Sequence, residues 1–185
     1  MMRYRLDLSL IPSQLRKRAR ERLRSEDDPF FYNFADSQLS MLIFLLNKEY
    51  FQERGLYEKA LLRAWTNQKT THIIWGGLDI YWGQHMRQDY LPQCDRAKLL
   101  AAGDPLPNEN PFTVYRGVSK GGEPRGVSWT LDPEIARNFA GTSGAVYKTT
   151  ILKNDAYAYT GEVSGRIGEK EILLVLPPDH PIEAA

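Results

Sequence analysis

Gly126-Val127-Ser128-Trp129-Thr130-Leu131-Asp132-Pro133-Glu134-Ile135-Ala136-Arg137-Asn138-Phe139-Ala140 is the stretch that decides the fold class. Its first part, 126–131, reads as a short strand that opens on glycine and carries β-branched, aromatic and hydroxyl residues. Its second part reads as a helix. Asp132 is placed to cap it, and Pro133 stands at the first helical position, where a missing N–H is not needed. Further strands are expected around this unit at 112–117, 145–152, 156–159 and 171–176, each bounded by Gly, Pro or Asp.

Upstream the texture is different. Gly103, Asp104, Pro105, Pro107, Asn108, Asn110 and Pro111 make 101–111 a run of turn formers, read as a linker. Before it, helices are expected at 14–25, 37–54 and 56–68. Ser13 is available to cap the first, and Gly55 to close the second. The centre of the second, Met41-Leu42-Ile43-Phe44-Leu45-Leu46, is apolar on every side and predicts a buried helix. Residues 3–8 alternate polar and apolar, as in a short strand or extended arm. The segment 71–91 reads as helical, with Gly76, Gly77 and Gly83 interrupting it. The expected layout is α+β: a mainly helical region 1–105 packed on a β-rich core 106–185, the two forming one compact unit.

Composition narrows the function classes. The 185 residues carry a net charge of +1, so the chain as a whole gives no argument for nucleic-acid or membrane binding. Cys94 is the only cysteine, which excludes an intrachain disulfide and fits a reducing compartment. The apolar run Met41–Leu46 is far below the ~20 residues of a membrane span. The first residues lack a signal-peptide core, since Asp7 and Ser9 interrupt it, and a cytoplasmic protein is expected. His72, His85 and His180 have no Cys or His partner at ligand spacing, so no metal site is expected.

Three short patterns follow one another in the β-rich part: Tyr115-Arg116-Gly117, then Ser128-Trp129-Thr130, then Glu169-Lys170-Glu171 with the apolar tail Ile172-Leu173-Leu174. Each is weak alone. A strand arginine usually serves an ion pair, strand hydroxyls usually face solvent, and charged edge strands are a common guard against aggregation. Their order and strand context carry the signal. Together they resemble the mono-ADP-ribosyltransferases of the branch whose signature is Arg, then Ser-x-Ser/Thr, then Glu-x-Glu. The helix expected at 132–140 falls where that family places one. The resemblance covers about residues 112–177, and Arg116 lies closer to Glu171 than is usual in the family, which implies a pared-down set of peripheral strands.

The resemblance implies a small split antiparallel sheet of ADP-ribosyltransferase type, NAD as substrate, and no metal. Glu171 would stabilise the oxocarbenium-like ribose as nicotinamide leaves. Arg116 would grip the NAD diphosphate or the neighbouring ribose through its forked donors. Ser128 would support the nicotinamide ribose and orient Glu171. Gly117, Thr130 and Tyr147 would complete the NAD site, Thr130 as its floor. Glu169 would share the strand face of Glu171 and act on the acceptor. Gly165 and Arg166, in the loop 161–168, would help recognise that acceptor. A glutamate at position 169 implies protein arginine, with nucleic acid the other acceptor class.

Competing readings stay open. An NAD glycohydrolase would use the same residues with water as acceptor, and a binding module would keep the fold without chemistry. The compact build fits an effector of phage or toxin–antitoxin type, the latter with an inhibitory partner protein. Arg16, Lys17, Arg18, Arg20, Arg22 and Arg24 against Glu21 form either a phosphate-binding footprint or, more commonly, a solvated helix face. Trp65, Trp75, Tyr81 and Trp82 follow apolar periodicity and are expected in the core. Tyr147, Tyr157 and Tyr159 are expected to pack, with one of them a candidate for stacking on nicotinamide.

Overall fold

The structure, a computed structural model, describes residues 4–25, 39–68, 70–161 and 168–185. The chain forms two compact units, Met1–Trp82 and Gly83–Ala185. The class is mixed α and β with antiparallel sheets. No helix among the described residues is long and apolar enough to cross a membrane.

The first unit holds α1 (Ser13–Ser25), α2 (Ser40–Glu53) and α3 (Tyr57–Asn67), close to the helices predicted. Met41, Leu42, Ile43, Phe44 and Phe51 of α2 are buried, and the Phe44 ring meets Tyr57 of α3 edge-on at 5.2 Å. Gly55 adopts φ 68, the left-handed backbone that stops the helix. Residues 4–8 belong to no strand or helix. Asn47 holds them instead: its amide accepts from Asp7 N at 2.6 Å and donates to Asp7 O at 2.8 Å. The Ser13 hydroxyl bonds the Gln14 side chain at 3.5 Å, not a free helix amide.

The expectation of a helix over 71–91 fails in its first half. Residues 72–81 form a hairpin, β1 (His72–Trp75) with β2 (Leu78–Tyr81), in the register His72↔Tyr81 through Trp75↔Leu78. Gly76 and Gly77 have φ 60 and 79, as a two-residue type I′ turn demands, so the Gly-Gly pair was a hairpin signal and not an interruption. The aromatic reading splits accordingly. Trp65 and Trp82 are buried, whereas Trp75 and Tyr81 are 38% and 53% exposed on the hairpin.

Helix α4 (Trp82–His85), which starts at the last residue of the first unit, runs on into a π-helical turn, Met86–Tyr90, and a 3-10 turn, Leu91–Gln93, of the second. Asp95 then caps α5 (Arg96–Ala102), accepting from Ala97 N and Lys98 N. The sheet follows: β3 (Phe112–Val118), β4 (Ser128–Thr130), β5 (Ala145–Ile151), β6 (Ala156–Thr160), β7 (Glu171–Leu174) and β8 (Glu183–Ala184). Its order is β6-β7-β4-β3-β5-β8, every neighbour antiparallel. Helix α6 (Pro133–Ala140) has Asp132 as N-cap and Pro133 in its first turn, as expected.

The boundary between the units lies at Trp82/Gly83, well before the expected 105/106. The turn formers of 101–111 therefore connect elements inside one unit. Two contacts explain this: the Arg96 guanidinium donates twice to Ala156 O, at 3.0 and 2.9 Å, and Asp104 N donates to Tyr159 O at 2.8 Å. They tie α5 and the start of the linker to β6. One face of the sheet is apolar, built on Phe112, Val114, Trp129, Ile151, Ile172 and Leu174. The other carries α6, which crosses β3 directly over Gly117.

Candidate functional site

The strand order places β7, β4 and β3 side by side, so Glu171, Ser128 and Arg116 come from three neighbouring strands although they are far apart in sequence. Register then sorts the side chains. Thr160 pairs with Glu171, Glu171 with Thr130, Thr130 with Tyr115, and Tyr115 with Lys148. These residues form one polar row across five strands, on a single face, because paired residues point the same way. Ser128, two residues from Thr130, shares that face.

Glu171 is the buried carboxylate of the row, only 3% exposed. Thr160 Oγ1 donates to its Oε2 at 3.4 Å. Burying a carboxylate is costly unless donors or a cation compensate. Arg116 is one compensating charge, since its guanidinium interacts favourably with both Glu123 and Glu171. Burial pushes the Arg116 pKa down, and those two carboxylates oppose the shift. A guanidinium stays charged under such conditions.

Arg116 starts from the opposite face, opposite Tyr147 in the ladder with β5. Its side chain turns along the backbone that leads into β4. There Nη1 donates to Ser128 O at 2.6 Å and Nε donates to Glu123 O at 3.4 Å. Gly126 makes room: a Cβ there would lie 2.2 Å from Nη2. Nη2 and the second proton of Nη1 are spent on neither carbonyl, so the group keeps donors for an anion.

Glu169 does not share a strand face with Glu171. Strand β7 begins at Glu171, and Lys170 has φ 48, a left-handed conformation that breaks the two-residue alternation. The conformation costs about 1–2 kcal/mol for a residue with a Cβ, and it is held from β4 and the loop after it. Thr130 Oγ1 donates to Glu169 O at 2.7 Å, and Leu131 N donates to Lys170 O at 3.1 Å. Hydrogen bonds of this kind contribute about 1 kcal/mol each, enough to offset the strain. Lys170 Nζ also meets Asp132 Oδ2 at 3.0 Å. Asp132 N donates to Thr130 Oγ1 at 3.1 Å, so the Thr130 hydroxyl is committed to backbone groups. Thr130 therefore supports the Glu169–Glu171 turn from below.

The Lys170 hydrogen bond, followed by the bond from Glu134 N, lowers the pKa of Asp132 below 3.8. A depressed folded-state pKa contributes stability above the unfolded value that is lost as pH falls through the folded one. Asp132→Asn, which keeps the cap, is thus expected to flatten the acid limb of the stability curve below pH 3.8. Urea unfolding of both proteins across that range checks this, and parallel acid limbs would count against it.

The remaining expected site residues are placed elsewhere. Gly117 lies beneath α6, where a Cβ would meet Ala136 O at 1.8 Å, so it serves helix packing and is closed to a ligand on that side. Tyr147 packs against the apolar face, opposite the Glu171 row. Tyr159 also packs against the apolar face, and Tyr157 lies under the Arg96 guanidinium at 4.7 Å. Gly165 and Arg166 lie outside the described residues. Tyr115, Thr160, Gly126, Lys170 and Asp132 join the site without having been expected there. Thr160 had no local signal, because only the register between β6 and β7 brings it to Glu171. Among the described residues no group of three or more His, Cys, Asp or Glu side chains could hold a metal ion. No family model, no curated protein and no solved structure matches the chain.

Proposed function

We propose that the chain is an NAD-dependent mono-ADP-ribosyltransferase, its six-stranded sheet a reduced version of the split sheet of that family. The observation that carries this reading is the adjacency of β7, β4 and β3, which gathers a buried Glu171, Ser128 and the guanidinium of Arg116. NAD is the substrate. Arg116 directs its unused N–H groups at the diphosphate, and Ser128 supports the nicotinamide ribose. As the C1′–N bond breaks, nicotinamide leaves with the bonding electrons and the ribose becomes cationic. Glu171 stabilises that charge at the 2′-hydroxyl. The acceptor nitrogen, a protein arginine in this reading, then bonds C1′, and its proton passes to Glu169 or to water. The reaction needs no metal and is placed in the cytoplasm.

A second reading follows from Glu169. Because Lys170 turns the chain, Glu169 leaves the strand that presents Glu171. That favours an NAD glycohydrolase, in which water takes the ADP-ribose and Glu169 is dispensable. Nicotinamide release and ADP-ribose incorporation, measured with labelled NAD and with cell lysate as acceptor source, separate the two. A transferase shows lysate-stimulated incorporation, and Glu169→Gln loses it while retaining hydrolysis. Hydrolysis alone, unchanged in Glu169→Gln, selects the glycohydrolase. No nicotinamide release with or without lysate, and no NAD binding by calorimetry, sinks both.

A further inference from the structure

Lys170 is the residue between the two glutamates, and it is the one described non-glycine residue with positive φ. Its backbone and side chain are both held by the segment that joins β4 to α6. Leu131 N donates to its carbonyl at 3.1 Å, and Asp132 Oδ2 meets its ammonium at 3.0 Å. Asp132 itself cannot move freely, because its other carboxylate oxygen accepts from Glu134 N at 3.0 Å and caps α6. The ion pair thus ties the start of a helix to the turn that aims Glu169 and Glu171.

Resting on the transferase reading, we propose that Lys170 and Asp132 form a latch that keeps the turn in its left-handed state. They act as positioning residues for the two carboxylates. Neither residue touches NAD in this role. The latch sets where Glu171 meets the ribose and where Glu169 meets the acceptor, so it governs turnover and the share of ADP-ribose lost to water. An exposed ion pair adds little to global stability. Geometry is another matter, because small misplacements at a reacting centre are amplified in rate.

The test compares wild type with Asp132→Asn, Lys170→Gln, their double variant and Lys170→Gly. Asparagine keeps the helix cap, and glycine adopts positive φ without strain. Nicotinamide release is followed with free arginine as acceptor, beside amide hydrogen exchange at Leu131. The latch requires kcat to fall roughly 10-fold in both single variants, within the ~100-fold that misplacement can cost. KM for NAD should hardly move, hydrolysis should rise relative to transfer, and Leu131 should exchange faster. The double variant should lose no more than the single ones, as expected for two residues in one interaction. Wild-type kcat and exchange in Asp132→Asn and Lys170→Gln would overturn the proposal, as would a Lys170→Gly protein no more active than Lys170→Gln, since glycine holds positive φ without a latch. If wild type itself fails to cleave NAD, the transferase reading falls and the positioning role with it. Leu131 exchange then reports whether the pair clamps the turn at all.

Discussion

Glu171→Gln is expected to lower the kcat for nicotinamide release about 1,000-fold with little change in KM, while the protein stays folded. Removing a single group that stabilises transition-state charge costs on the order of 100- to 1,000-fold, and Glu171 is the buried acid of the row. Glutamine preserves volume and can still accept the bond from Thr160 Oγ1. What it loses is the negative charge that Arg116 feels and that, on the proposed transferase reading, would stabilise the ribose cation. The two effects on stability oppose each other, because removing a buried charge relieves desolvation even as it takes away a carboxylate whose field favours the charged Arg116. Turnover should therefore collapse while Tm moves little. Single-turnover kinetics together with thermal unfolding separate these effects. Wild-type turnover in a folded Glu171→Gln protein would move the chemistry away from this strand.

The second large effect is expected at Gly117→Ala, and it is one of packing. The added Cβ would lie 1.8 Å from Ala136 O and 2.7 Å from Ala140 N. Both are backbone atoms of α6, so no side chain can rotate aside, and the helix must lift from β3. Overpacking of this kind costs about 3 kcal/mol, which lowers Tm by roughly 6–12 °C for a chain of this length. Activity should fall as well, because a displaced α6 carries Asp132 away from Lys170. Gly83→Ala is the control. Its Cβ meets nothing within 4 Å, and alanine is the better helix former by about 1 kcal/mol, so this variant should hold or raise Tm. A Gly117→Ala protein as stable as wild type would show that α6 is not seated as closely as the packing requires.

These two positions illustrate what can be read from residue order. Both Gly117 and Glu171 belong to patterns visible in the chain, yet their physical roles differ. Glu171 was expected as a strand carboxylate; it opens β7, and the structure adds that it is buried. Gly117 was expected beside a ligand and lies under a helix, since nothing in Tyr115-Arg116-Gly117 reveals which element crosses the strand. Likewise the Gly76-Gly77 turn shows how a periodic count over 71–91 can miss a hairpin. Side chains such as Ile74 and Leu78 suit either period until the turn residues are weighed first.

Local signals in the sequence determined most of the elements. The apolar run of α2, the Asp132-Pro133 start of α6, the Gly55 stop and five of the six strands of the main sheet are set by short-range chemistry: burial, capping, φ restriction and β propensity. The α+β class follows from these alone. Only the tertiary structure decided which strands lie side by side, and hence that Thr160, Glu171, Thr130 and Tyr115 form one row. It also decided that Lys170 turns left-handed and takes Glu169 off the strand, and that α5 belongs with the sheet. The physical reason is the same in each case. Strand order and register are chosen by contacts between residues distant in sequence, whose free energy depends on the packed whole and leaves no trace in any one segment.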